Sequence, residues 1–310
     1  MNLFNIPANE LLQHILNGLT LGAIYSLIAL GYTMVYGILK FINFAHGEIF
    51  MLGAYSGYYL YYYLCTPDQG GSWVMISFIL SVLFAMILSA VIGMLIERIA
   101  YRPLRRAPRL APLLSAIGVS IILMNLAALA FGTEPKNFSY PFDNSVINMG
   151  TTSITPNQIM ILAVGLIMMA GLKLFVDRTK LGKAMRATSQ NQNVASLMGI
   201  NVNVIISLTF AIGSALAAVA GVLIAMEYKV YPSMGQMAGL KAFIAAVVGG
   251  IGNISGAMIG GILLGLLETF GVVILGIPQG MKDTIAFSVL IIILLVKPSG
   301  ILIRNIREKV

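Results

Sequence analysis

Apolar residues run along this chain in long, nearly unbroken blocks separated by short polar stretches. Leu11–Tyr36, Phe44–Leu64, Trp73–Ile96, Leu113–Phe131, Ile159–Val176, Val204–Met226 and Pro278–Val296 each read as one membrane helix. A hydrocarbon core of about 30 Å needs about 20 apolar helical residues. The block Ala242–Leu275 is too long for one span and too short for two with a turn. Its centre, VVGGIGNISG, places Gly249, Gly250, Gly252 and Asn253 where they weaken helix. It predicts a half-helix, a break and a full-length helix. Broken helices survive at membrane depth only when buried in protein or lining a cavity. The expected fold is all-α: a polytopic transmembrane bundle of about eight segments, one of them broken or re-entrant, in a single domain over residues 1–310.

Composition supports the same picture. Of 310 residues, 58% are hydrophobic and only 10% charged, with a mean hydropathy of +0.91. A soluble surface needs roughly a quarter to a third charged residues, so most of this surface faces lipid. The 32 glycines and 18 methionines suit close-packed membrane helices. A net charge of +8 in a soluble protein would point to nucleic acid. Here the cations cluster in a few loops, which makes them a topology signal and leaves no nucleic-acid partner expected. Cys65 is the one cysteine, so neither a disulfide framework nor a thiolate metal cluster is available. Met1–Glu10 lacks a positive n-region and a cleavage pattern, so the first apolar block is expected to stay as a helix.

The basic loops set the orientation. ERIAYRPLRRAPR carries Arg98, Arg102, Arg105, Arg106 and Arg109; DRTKLGKAMR carries Arg178, Lys180, Lys183 and Arg186; the C-terminal stretch carries Arg304, Arg307 and Lys309. By the positive-inside rule all three are cytoplasmic. The loop at about 132–158, with Lys136 against Glu134 and Asp143, then lies outside, as does the N-terminus. A cytoplasmic C-terminus requires Ala242–Leu275 to enter and leave by the same face, unless it forms two short spans. Tyr58, Tyr59, Tyr61, Tyr62 and Tyr63 crowd one helix end, either as an interfacial aromatic belt or as a substrate-facing patch.

Three groups of residues carry candidate function. The first is the basic segment at about 178–203, too long for a turn. It contains two helical runs, Gly182–Ser189 and Asn193–Gly199, the second stopped by a glycine. A headgroup anchor accounts for its cations. It does not account for the neutral, small-residue NVASLMG, which suits docking into a cleft on a soluble partner. The second group is Asn43, His46 and Glu48 in FINFAHGEIF, together with Glu268 and Asn253. Ionisable residues at membrane depth are costly and point to function by default. Glu48 shares a helical face with Leu52, Tyr55, Tyr59 and Tyr62, so that face is a candidate pathway. The alternative is a structural role in which His46 and Glu48 bond to each other or to broken backbone. Two such ligands make no metal site, and His14 is distant. The third group is the glycine stripes Gly252, Gly256, Gly260 and Gly213, Ala217, Gly221, at the spacing that lets helix backbones approach closely. They read as packing, with a seam between two subunits as the functional version. Lys241 reads as a snorkelling anchor.

The basic segment resembles the coupling segment of ABC importer permeases, whose consensus is Glu-Ala-Ala, three residues, Gly. Ala195 and Gly199 match; Asn193 and Val194 depart. Asn17–Tyr55, Glu97–Arg105, Leu113–Asn125, Lys241–Glu268 and Lys297–Leu302 resemble, in order, the LivH-type permeases of high-affinity branched-chain amino acid importers. That resemblance implies a type II ABC importer permease fold, similar to the vitamin B12 and ribose permeases, in a bacterial inner membrane. It implies a second, related permease as partner, two cytoplasmic ATPases that carry ATP and magnesium, and a periplasmic binding protein that delivers leucine, isoleucine or valine. Arg178, Gly182, Arg186, Ala195 and Gly199 become the coupling residues. No G-x-x-x-x-G-K-[ST] occurs, so nucleotide and cofactors belong to partner chains and this chain is not an enzyme. Urea or short amides are an alternative substrate class. A stand-alone transporter coupled through Glu48 and Glu268, and an intramembrane enzyme using His46 and Glu48, are the competing readings.

Overall fold

The computed structural model describes residues 8–65, 71–105, 107–108, 110–138, 147–149 and 152–302. Arg106, Arg109, Asp143, Arg304, Arg307, Lys309 and the extreme N-terminus, all used above to assign orientation, lie outside the described residues.

The helices are α1 (Ala8–Leu39), α2 (His46–Leu64), α3 (Gly71–Ile96), α4 (Leu110–Phe131), α5 (Pro156–Arg178), α6 (Lys180–Gln190), α7 (Gln192–Leu197), α8 (Val202–Glu227), α9 (Met234–Gly249), α10 (Ile254–Leu275) and α11 (Asp283–Val296). Seven of the described helical stretches are long and apolar enough to cross a membrane, and α9 is a shorter apolar helix. Every apolar block of the sequence became helical, but α2, over the expected span Phe44–Leu64, is not among those seven. Their ends follow local chemistry. Thr155 caps α5 in a reciprocal box with Gln158, Pro156 opening the helix. Thr179 caps α6, Asn191 caps α7 and Asn201 caps α8. Gly276, in the left-handed region, ends α10. The external loop carries one short antiparallel ribbon, Ile147–Met149 with Thr152–Ile154, and Lys136 bridges to Val230.

The bundle is built around α1 and α8, whose faces are buried nearly all round, while α4 and α11 turn most of their surface outward. Lipid tails are as apolar as leucine, so close backbone packing replaces the hydrophobic drive that operates in water. The glycines supply that approach. Any side chain at Gly221 would strike the Phe50 carbonyl, and one at Gly213 would press on Gly31. Gly256 and Gly260 sit against Gly249 and Ala245 of α9, inside the subunit, and Gly261 and Gly265 sit against α1. These glycines therefore hold the subunit itself together, and the seam reading fails for them because their backbones are already covered. Gly252 is not a packing residue at all: a Cβ there would meet nothing, and its φ of +95° marks the break instead.

The break lies where expected, at Gly250–Asn253, with Gly250 at φ +104°. The short helix before it begins at Met234, eight residues earlier than the expected Ala242. Its 16 residues rise about 24 Å, less than a full span. α9 and α10 run antiparallel as a hairpin. After α11 the chain returns to the hairpin's turn, where Ile301 donates to the Val248 carbonyl and Asn253 to that of Leu302.

One end of the bundle gathers the described basic segments. Arg105 donates to Asn203 at the start of α8, and Gln192 of α7 to the Ile38 carbonyl near the end of α1. At the other end Tyr61 stacks on Phe138, Tyr59 leans on Phe131, and Tyr62 and Tyr63 are exposed, the arrangement an aromatic belt requires.

Candidate functional site

α2 does not begin at the basic end. The stretch Lys40–Ala45 climbs back into the bundle, so the imidazole of His46 lies against Gly31 of α1. Gly31 is eight residues before the end of α1, about 12 Å at helical rise. Beside it Gly47 crosses Gly235 and Gly239 at the start of α9 with backbones in contact. Two helix N-termini, each a positive dipole end, therefore meet at depth. Glu48 is in the first turn of α2, and a methyl at Gly235 would come within 3.0 Å of its Oε2. The other oxygen, Oε1, accepts from Ser120 of α4 at 3.1 Å. Among the described residues, Oε2 and His46 Nε2 are buried without a hydrogen-bond partner. Asn43 accepts from the Tyr101 hydroxyl at 2.6 Å. Of the expected face, Tyr55 is buried while Tyr59 and Tyr62 are exposed.

A second charged centre joins four helices. Lys241 of α9 lies 3.0 Å from Glu268 of α10 and 2.6 Å from Asp283 of α11. Glu268 also accepts from the Tyr25 hydroxyl of α1 at 2.9 Å, and the ammonium lies 5.7 Å from the Tyr25 ring centroid. Lys241 is 5% exposed and Glu268 1%. The snorkelling reading of Lys241 is thus corrected: its head points inward because an acidic partner, 27 residues on, is brought to it by the hairpin. Two cavities flank this centre toward the aromatic end. One of about 460 Å³ includes Tyr25, Tyr228, Lys241 and Asp283; one of about 290 Å³ includes Asn17, Gln158, Glu227 and Glu268. Asn253 lies apart from both, at the α9–α10 turn.

A third buried pair escaped the sequence reading. Glu97, in the π-helical turn Glu97–Tyr101 that follows α3, is fully buried, ion-paired with Arg105 and hydrogen-bonded by Ser207 at 2.6 Å. Arg105 is therefore tied to α8 through Glu97 and Asn203. The signal was the acidic residue at the head of an otherwise basic loop.

On the basic end, α6 and α7 form the two expected helical runs. Arg178, Lys180, Lys183 and Arg186 are exposed, as expected. Gly182 is buried at the α5–α6 corner, where a Cβ would strike the backbone of Val176. Arg186 donates to the carbonyl of that same residue. Ala195 faces the protein, and Gly199 leaves α7 at φ +81° with open space beside it. The outward face of α7 is instead apolar: Val194, Leu197 and Met198, at 54%, 85% and 78% exposed. Among the described residues, no group of three or more His, Cys, Asp or Glu could hold a metal ion.

Comparison with known proteins agrees with this architecture. Residues 14–294 match the family model described as branched-chain amino acid transport system / permease component. The chain is 46% identical over 306 residues to the high-affinity branched-chain amino acid transport system permease protein BraD of Pseudomonas aeruginosa, covering 96% of this chain and 98% of the relative. It is 44% identical to LivH of Escherichia coli K12, covering 96% and 97%. A probable branched-chain amino acid transport permease protein LivH of Methanocaldococcus jannaschii is 29% identical, covering 89% and 87%. Among solved structures, an inward-facing ABC transporter of the metal-chelate type shares the fold at a TM-score of 0.50 and 16% identity, over 91% of this chain and 85% of that one. With a polytopic bundle, a basic end bearing paired short helices and a match over nearly its whole length, the chain belongs to the branched-chain amino acid transport system permease component family.

Proposed function

We propose that this chain is the membrane-spanning subunit of an ABC importer that carries leucine, isoleucine and valine across the bacterial inner membrane. The observation that carries the reading is the near full-length identity of 46% and 44% to relatives named for branched-chain amino acid transport. Those names favour branched-chain substrates over urea or short amides. The partners are a second, related permease, two cytoplasmic ATPases holding ATP and magnesium, and a periplasmic binding protein. The chain itself performs no chemistry. Purification of the tagged protein from native membranes in mild detergent is expected to bring down the permease and both ATPases, and its deletion to abolish high-affinity leucine uptake. Recovery of this chain alone, in a detergent that preserves other ABC complexes, would sink the importer reading.

Within that function, α6 and α7 receive the movement of the ATPases: Arg178 and Arg186 meet the partner, Gly182 and Ala195 seat the helices on the bundle, and Gly199 sets their exit. Gly199→Val should cut uptake while ATP hydrolysis continues, since a β-branched residue in the left-handed region costs at least about 1–2 kcal/mol. Gly199→Asn, which tolerates that region, should stay near wild type. Equal uptake in the two variants would remove Gly199 from the coupling path.

Glu48 and Glu268, with Asn43, His46 and Asn253, are the pathway candidates. Glu48→Gln keeps an acceptor for Ser120 and removes the charge. If the carboxylate only balanced helix ends, assembly would weaken by about 1 kcal/mol, roughly fivefold. We expect uptake to fall further than that while the amount of assembled protein stays within it. Parallel losses in both would assign Glu48 to structure alone.

A further inference from the structure

At the basic end a cavity of about 400 Å³ opens between α1, α5, α6 and the α9–α10 turn. Among the described residues its rim carries Lys40, Lys173 and Arg186 against one carboxylate, Asp177, which lies 3.5 Å from Arg186. Its floor carries two features that need an acceptor. Asn253, at the N-cap of α10, makes no side-chain cap and donates instead to Leu302, so the first turn of a 22-residue helix opens into the cavity without side-chain capping. Thr33 lines the same cavity, is 1% exposed, and its hydroxyl has no hydrogen-bond partner among the described residues. A threonine in mid-helix ordinarily bonds back to its own preceding turn; this one does not, and it lines a cavity that also carries three cations and a helix N-terminus.

We propose that this cavity binds a phosphate group, presented by the headgroup of an anionic phospholipid or by free inorganic phosphate. The chemistry matches on each count. A phosphate offers several strong acceptor oxygens and negative charge, and helix N-termini and clustered cations recognise both. Basic pockets between membrane helices on the cytoplasmic side suit lipid headgroups. The occupant would touch α1, the α10 turn and Arg186 of α6 at once. It would thus fix the segment assigned to ATPase coupling against the bundle, and so make that contact depend on membrane composition.

The test uses the full-length protein in detergent, followed by its melting midpoint. It is titrated separately with phosphatidylglycerol, with diacylglycerol of the same chains, and with inorganic phosphate. Phosphatidylglycerol is expected to raise the midpoint in a saturable way and diacylglycerol to leave it unmoved. In Lys40→Gln/Lys173→Gln the apparent affinity should fall about 30-fold, two surface cations being lost. Thr33→Val should lower it about fivefold, one hydrogen bond being lost. A shift with inorganic phosphate alone, equally weakened by the variants, supports the site with a soluble occupant. No shift with either phosphate source, an equal shift with diacylglycerol, or wild-type affinity in the double variant would overturn the proposal. Both lysines are exposed, so the double variant is expected to fold.

Discussion

Lys241→Met is expected to be the most damaging single substitution in the bundle. It removes the cation that lies 3.0 Å from Glu268 and 2.6 Å from Asp283 and keeps nearly the same length of apolar stem. Glu268, 1% exposed, then keeps the Tyr25 hydroxyl as its hydrogen-bond donor but loses the cation in direct contact with it. Breaking one side of a buried pair costs about 3–5 kcal/mol, because the partner charge stays desolvated and uncompensated. That is a large share of the stability of an ordinary domain. The measurement is the melting midpoint and monodisperse yield of the purified variant. Lys241→Met/Glu268→Gln removes both charges of the buried pair and should recover most of the loss; Asp283, 32% exposed at its side chain, can be solvated. Glu268→Gln alone should cost less, since Lys241 keeps Asp283. A Lys241→Met protein that melts and purifies like wild type would mean the cluster contributes nothing to the fold. Rescue of stability in the double variant without rescue of uptake would keep Glu268 as a pathway candidate and add Lys241 to it.

The second large effect is expected at Leu197. With Val194 and Met198 it forms an apolar face on α7 that turns away from the bundle at the basic end. A leucine exposed beside exposed cations has no lipid to enter if it projects into the cytoplasm, so a protein partner is the economical reading of that face. Leu197→Asp puts a charge at its centre. A central contact of this kind is worth about 2 kcal/mol or more, or a roughly 30-fold weaker ATPase association. Uptake should fall with it, while expression, membrane insertion and melting stay as in wild type because Leu197 is 85% exposed. ATPase recovery equal to wild type would show that α7 is not the docking face.

The two predictions mark the boundary between what patterns along a chain reveal and what they do not. Helix positions were legible because a bilayer imposes one ruler: a backbone in hydrocarbon must satisfy its own hydrogen bonds, and apolar blocks of the right length have few alternatives to helix. The break at Gly250–Asn253 was legible because successive glycines remove the local preference for helix, and two of them do take φ values near +100°. The two helices of the basic segment were legible from their helical runs and a terminal glycine. The start of α9 was not: Met234–Leu240 contains two glycines that weaken helix, and in the fold Gly235 and Gly239 pack against Gly47.

The candidate groups divide in the same way. Glu48 and Glu268 stood out by sequence alone, since a carboxylate in an apolar block is costly enough to mark itself. Their partners did not. Lys241 is 27 residues from Glu268 and Ser120 is 72 from Glu48; neither pairing has a local signature, and Lys241 taken alone looks like any lysine at a helix end. Thr33 looks like an ordinary helical threonine until a cavity beside it is known. Gly252 and Gly256 share one stripe, yet the fold uses the first for a backbone turn and the second for contact.

By itself the sequence determined that this protein lies in a membrane, where its helices are, where one breaks, and which family it resembles, because solvent and backbone hydrogen bonding act on contiguous residues. Only the tertiary structure decided which charges are paired, which glycines touch, and that two helix ends meet at Glu48. Those depend on residues far apart in the chain, brought together by packing that no single stretch encodes.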